Sequence, residues 1–93
     1  MKEIKRLKVM EFLIRNSPGE FYAGDIKKAT GLDQVNYGHF NMIIQLLHRS
    51  GVVSINKQKK GALRIISVSP NQKRVMAKYM KDKYSDYFQN NLN

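Results

Sequence analysis

Basic side chains without acidic neighbours are the clearest sign of chemistry in this sequence. No aspartate or glutamate occurs between Gln34 and Lys81, although lysine and arginine recur there, and the chain carries a formal net charge of +10 at pH 7. A surface that serves solubility alone mixes charges of both signs. This stretch therefore predicts a polyanionic partner, either a nucleic acid or an acidic membrane surface.

Residues that suit catalysis or metal binding are few. The sequence has no cysteine, and His39 and His48 lack the short spacing and the nearby carboxylates of a metal site. No nucleophile occurs with a base and an orienting group, and no glycine-rich phosphate loop is present. We therefore expect a protein that is not an enzyme and that holds no metal and no cofactor.

Hydropathy argues against a membrane partner. No apolar run approaches the roughly 20 residues that span a bilayer. The basic N-terminal segment has charges at helical spacing and no small-residue cleavage site, so we interpret it as a helix rather than a signal peptide. We expect no membrane partner and a cytoplasmic, nucleoid-associated location.

Apolar periodicity predicts the elements that must position the basic residues. Apolar residues at three- and four-residue steps predict a first helix over residues 2–16, and the turn at 17–19 contains proline and glycine. Residues 20–22 form either a short strand or an extended lead into a second helix. That short helix covers residues 23–30 and ends at Gly31.

A longer third helix follows. Asp33 is its predicted N-cap, because a carboxylate there accepts the free amides of the first turn. Gly51 is its predicted C-terminal stop, just after Ser50. Its buried face is predicted to comprise Phe40, Ile43, Ile44 and Leu47.

The second half of the chain predicts a hairpin and one more helix. The β-branched runs 52–57 and 62–69 flank a lysine-rich turn with a glycine, which is typical of a β-hairpin. Ser69 and Pro70 then suit the N-cap and the first position of a last helix, up to about Phe88. The predicted fold class is mainly α with a small β-hairpin, in one domain of 93 residues.

This order of elements (α-α-α-β-β-α) resembles the winged helix-turn-helix family of DNA-binding proteins, in particular the small dimeric MarR-like and PadR-like regulators. The resemblance covers about residues 2–87. Its most telling stretch, 43–53 (IIQLLHRSGVV), is similar to the end of the family's recognition helix and the start of its wing. It implies a DNA-binding domain at 1–68 and a dimerisation helix and tail at 69–93, in one structural unit.

The family's recognition helix enters the major groove of DNA. Its opening here, residues 39–42, departs from the Thr-Val-Ser-Arg-like run that is common in the family. Asparagine and glutamine pair with adenine edges, and tyrosine and histidine reach phosphates or bases, although all of these also suit an ordinary polar surface. The predicted DNA-binding residues of this helix are Gln34, Asn36, Tyr37, His39, Asn41, Met42 and Gln45.

The hairpin is the predicted wing. Basic side chains there neutralise phosphates and release counterions without reading base sequence directly. Lysines on an exposed hairpin edge also protect against aggregation, which is the alternative interpretation. The predicted DNA-binding residues of the wing are Lys57, Gln58, Lys59, Lys60 and Arg64.

The last helix carries more apolar and aromatic surface than so small a domain readily covers. We therefore predict a homodimer through this helix, since a symmetric dimer is the commonest assembly. The alternative is that the helix packs only on the first helix of its own chain. The predicted interface residues are Val75, Met76, Tyr79, Met80, Tyr84, Tyr87 and Phe88.

Together these observations predict a homodimer that binds a palindromic site in double-stranded DNA and regulates transcription, as a repressor. A centromere-binding component of a plasmid or phage segregation system is an alternative, and a second protein partner is expected in that case. A winged-helix interaction module without DNA binding is the third hypothesis, and RNA binding is the fourth, less favoured because no aromatic sheet platform is visible.

Overall fold

Five helices and three strands occupy the described residues, 2–56 and 64–92, of the computed structural model. The predicted class, mainly α with a small β component, is confirmed. The elements in chain order are α1 (Lys2–Asn16), β1 (Gly19–Tyr22), α2 (Ala23–Ala29), α3 (Tyr37–Arg49), β2 (Ser54–Asn56), β3 (Ile65–Val68), α4 (Pro70–Lys83) and α5 (Ser85–Asn91).

The strands form one antiparallel sheet in the order β1-β3-β2. The two runs predicted as a hairpin pair as expected, with Ile55 opposite Ile66. Residues 20–22 belong to β1, which adds a third strand on the other edge of β3 and places Phe21 opposite Ile66. The prediction of a two-stranded hairpin was therefore incomplete. Sequence pattern does not reveal pairing between strands more than forty residues apart.

The core lies between the helices α1 to α4 and the sheet. The predicted apolar face of α3 is confirmed, since all four of its residues are buried. Leu32 is also buried, and the positive φ angles of Gly31 (73°) and Gly51 (79°) suit their predicted positions after α2 and α3. Ser69 and Gln72 form a reciprocal capping box at the start of α4, with Pro70 at its first position.

The start of α3 differs from the prediction. Asn36, not Asp33, is the N-cap, and its Oδ1 accepts hydrogen bonds from the backbone amides of Gly38 (2.7 Å) and His39 (3.3 Å). Val35 N donates to Leu32 O at 3.0 Å, so Asp33 lies in a turn outside the helix. Leu32 and Val35 bound this turn. Leu32 is part of the core, and Val35 packs against it.

The last helix also differs. It ends at Lys83, Tyr84 adopts a non-helical conformation (φ −135°, ψ 53°), and α5 begins at Ser85. Arg6 Nη2 donates to the Tyr84 hydroxyl at 2.8 Å, and the Tyr87 hydroxyl donates to Glu11 Oε1 at 2.6 Å. After the break at Tyr84, α5 contacts α1 through Tyr87.

The contact between α5 and α1 gives a prediction for the pH dependence of stability. Partial burial, the hydrogen bond to Glu11 and the negative charge of Glu11 raise the pKa of Tyr87 to about 12, and Arg15 opposes them. The unfolded chain releases this proton near pH 10, so the free energy of unfolding should fall as pH rises from 10 to about 12. Denaturant unfolding of wild type and Tyr87→Phe across this range tests it. The variant should lack this part of the slope, and equal slopes would contradict the prediction.

Candidate nucleic-acid interface

The outward face of α3 is set by helical geometry. With about 3.6 residues per turn, positions 38, 42, 45 and 49 fall opposite the buried stripe. Met42 is 61% exposed, Gln45 is partly exposed, and Arg49 is exposed in the last turn. Met42 and Gln45 were predicted as DNA-binding residues, and they share this face. Arg49 was missed, although its position four residues after Gln45 could have indicated it.

Tyr37 and Asn41 lie on one flank of this face, a single helical turn apart. Tyr37 is 38% exposed, and its ring packs edge-on against Phe40 with centroids 6.0 Å apart. Lys27 Nζ lies 5.8 Å from the Tyr37 ring centroid. Burial raises the pKa of Tyr37, while the positive charge of Arg64 acts in the opposite direction. Tyr37 therefore contacts Phe40 and Lys27 at the N-terminal end of α3 while much of its side chain stays exposed.

Asn41 links α3 to the sheet. Its Oδ1 accepts a hydrogen bond from Arg64 Nη1 at 2.6 Å, and both residues are partly buried. The backbone carbonyl of Arg64 accepts from Ala23 N at 2.9 Å, which holds the residue just before β3 against the start of α2. Two predicted site residues that are 23 positions apart in sequence are thus in direct contact.

His39 falls on the opposite flank of α3, away from Tyr37 and Asn41. Leu46 lies on the same flank, is 42% exposed, and lines a groove of about 250 Å³ with Val75 and Tyr79 of α4. The residues predicted to contact DNA therefore do not share one face. They are distributed over the outward face of α3 and both of its flanks.

Gln34 and Asn36 precede the helix rather than belonging to it. Gln34 is exposed in the turn before α3. Asn36 uses its side-chain oxygen to cap the helix, and it is exposed there, so its role in DNA binding stays a prediction. A Cβ at Gly38 would come within 3.0 Å of this oxygen, so the absence of a side chain there leaves room for the cap.

The cap gives a second prediction. Asn36→Ala should lower the free energy of unfolding by about 1 kcal/mol, because two amides of the first turn lose their acceptor. Asn36→Asp should retain most of the stability, since its carboxylate caps equally well. Gln34→Ala is the matched control in the neighbouring turn and should change stability by less than about 0.5 kcal/mol. Urea denaturation measures all three. A cost for Gln34→Ala equal to that of Asn36→Ala would refute the capping role.

The predicted wing falls largely outside the described residues. Lys57, Gln58, Lys59 and Lys60 all lie there, between the described ends of β2 and β3. Arg64 is the member of this set that the structure describes, and it contacts α3 through Asn41.

The predicted dimer residues divide into two groups. Met76 and Met80 are completely buried in the core of their own chain, so their assignment to an interface was wrong. Tyr84, Tyr87 and Phe88 are partly buried against the same core, because α5 packs on α1. Val75 is 49% exposed and Tyr79 is 39% exposed. These two residues are the most exposed members of the predicted interface.

Searches for metal sites and membrane-spanning helices in the described residues, and for related proteins, found none. Within residues 2–56 and 64–92, no group of three or more histidine, aspartate or glutamate side chains could hold a metal ion. No helix in the same residues has the length and apolar character needed to cross a membrane. No protein-family model matches the chain, and no curated protein matches its sequence.

Proposed function

We propose that this protein binds double-stranded DNA as a winged-helix protein. In this proposal α2 and α3 form the helix-turn-helix, α3 is the recognition helix, and β2, β3 and the segment between them form the wing. The element order α1-β1-α2-α3-β2-β3 supports it, as does the antiparallel pairing of β2 with β3.

The observation that carries the proposal is the charge of the surface around α3. Its outward face presents Met42, Gln45 and Arg49, and Arg64 lies beside it. No acidic residue occurs anywhere from Gln34 to Lys81 in the sequence. A duplex approaching this face would meet Gln45, Arg49 and Arg64 together with the exposed apolar side chain of Met42, and the residues of α3 itself contribute no negative charge.

We also propose that two copies bind a palindromic operator and regulate transcription by occupying it. Val75 and Tyr79 lie one turn apart on α4, and with Leu46 they form an exposed apolar patch beside the groove. A second copy would cover this patch and set two α3 helices at a fixed separation. Half-sites about one DNA turn apart require such an arrangement.

The test is the salt dependence of binding to duplex DNA. Several phosphate contacts on each copy should make the logarithm of the binding constant fall linearly with the logarithm of salt concentration, by about 0.9 per contact. Fluorescence anisotropy with a labelled duplex at increasing salt measures the slope. Wild type should bind duplex better than single strands of the same sequence. A flat dependence, or no binding at low salt, would refute the proposal.

A further inference from the structure

The hydrogen bond between Arg64 and Asn41 fixes how the asparagine amide is turned. A guanidinium carries five N–H donors and no acceptor, so the amide atom 2.6 Å from Arg64 Nη1 must be the oxygen. The Asn41 Nδ2 amino group therefore points away from Arg64. Chemistry settles this orientation, even though amide oxygen and nitrogen are otherwise easily confused.

The two side chains together offer donors. Among residues 2–56 and 64–92, the side chain of Arg64 donates to Asn41 alone, so its other N–H groups and both protons of Asn41 Nδ2 remain for a partner there. The second lone pair of Asn41 Oδ1 lies beside a full positive charge, which repels the positive end of an incoming N–H group. An isolated asparagine offers a donor and an acceptor side by side, whereas this one acts as a donor.

The position of the pair suits contact with bases. Asn41 lies in the N-terminal half of α3, and the N-terminal residues of a recognition helix contact base edges. The backbone contact of Arg64 with Ala23 fixes the pair from the sheet side. Preorganised groups of this kind bind with a smaller loss of side-chain entropy than free ones.

We propose that Asn41 and Arg64 act as one donor-only unit that selects hydrogen-bond acceptors on the duplex. This inference rests on the proposed DNA binding and specifies what α3 reads. The acceptors are either the O6 and N7 atoms of guanine in the major groove or phosphate oxygens. Adenine, which needs an acceptor for its N6 amino group, is disfavoured at this position, although free asparagine commonly pairs with it.

The experiment selects bound duplexes from a random pool with wild type and with three variants. Asn41→Leu removes both polar atoms. Asn41→Asp keeps an acceptor for Arg64 but removes the amide donor, so it separates recognition from structural support. Asn71→Leu is the matched control, because Arg74 Nη2 donates to Asn71 Oδ1 at 2.8 Å in the same kind of pair on α4. Thermal unfolding identifies any variant that does not fold.

If the acceptors are on guanine, wild type and Asn71→Leu should select guanine at one position of each half-site. In both Asn41 variants, the preference for guanine over the other bases should be about 10-fold weaker. Replacing this guanine with 7-deazaguanine, which lacks N7, should weaken the binding of wild type more than that of the Asn41 variants, in which only Arg64 remains as a donor. If the acceptor is a phosphate, a methylphosphonate at a single position should instead weaken the binding of wild type more than that of the Asn41 variants.

Two results would overturn the inference while leaving DNA binding in place. One is selection of adenine at the position that the Asn41 variants no longer discriminate. The other is an identical response of wild type and both Asn41 variants to base and phosphate changes. Failure of wild type to bind any duplex is a distinct outcome, which overturns the proposed function and this inference with it.

Discussion

Met80→Ala is expected to lower the free energy of unfolding by about 2–5 kcal/mol. Met80 is completely buried within the hydrophobic core. The decrease therefore combines the transfer free energy of the deleted atoms with the cost of a cavity. Denaturant unfolding of both proteins measures the difference.

Val75→Ala on the same helix is the matched control. Val75 is 49% exposed, so its truncation should cost less than about 1 kcal/mol in the free energy of unfolding of a single copy.

Light scattering then tests the dimer: Val75→Glu with Tyr79→Glu should yield a folded monomer if the patch on α4 is the interface. Similar unfolding costs for Met80→Ala and Val75→Ala would contradict the division between core and surface.

The second large effect concerns the segment predicted as the wing. Replacing Lys59 and Lys60 with glutamate should weaken binding to cognate and random duplexes by similar factors, each about 10-fold or more at low salt, because binding to phosphates carries no sequence information. The salt dependence should also become shallower by about 0.9 for each phosphate that the variant no longer neutralises. Anisotropy titrations at several salt concentrations measure both quantities.

Gln45→Leu is the contrasting variant on the outward face of α3. It should reduce the preference for cognate over random DNA by about 1–3 kcal/mol and leave the salt dependence almost unchanged. If the lysine variant lost the sequence preference and the Gln45 variant kept it, the assignment of roles to the two elements would be wrong.

Local sequence signals determined much of the secondary structure of this protein. The bounds of α1, the buried face of α3, the glycines after α2 and α3, and the capping box of α4 all follow from residues within a few positions of each other. Helix periodicity and capping depend on backbone geometry over one or two turns, so the sequence carries them directly. The absence of acidic residues from Gln34 to Lys81 is likewise a property of the sequence alone.

Only the tertiary structure decided how distant segments share the core. The sequence showed an aromatic stripe in the last helix but not that the chain breaks at Tyr84, so that α5 hydrogen-bonds to α1. It also did not show that β1 pairs with β3, or that Arg64 donates a hydrogen bond to the side-chain oxygen of Asn41. Each depends on an interaction between residues far apart in sequence, where burial and hydrogen-bond satisfaction across the whole molecule outweigh local propensity.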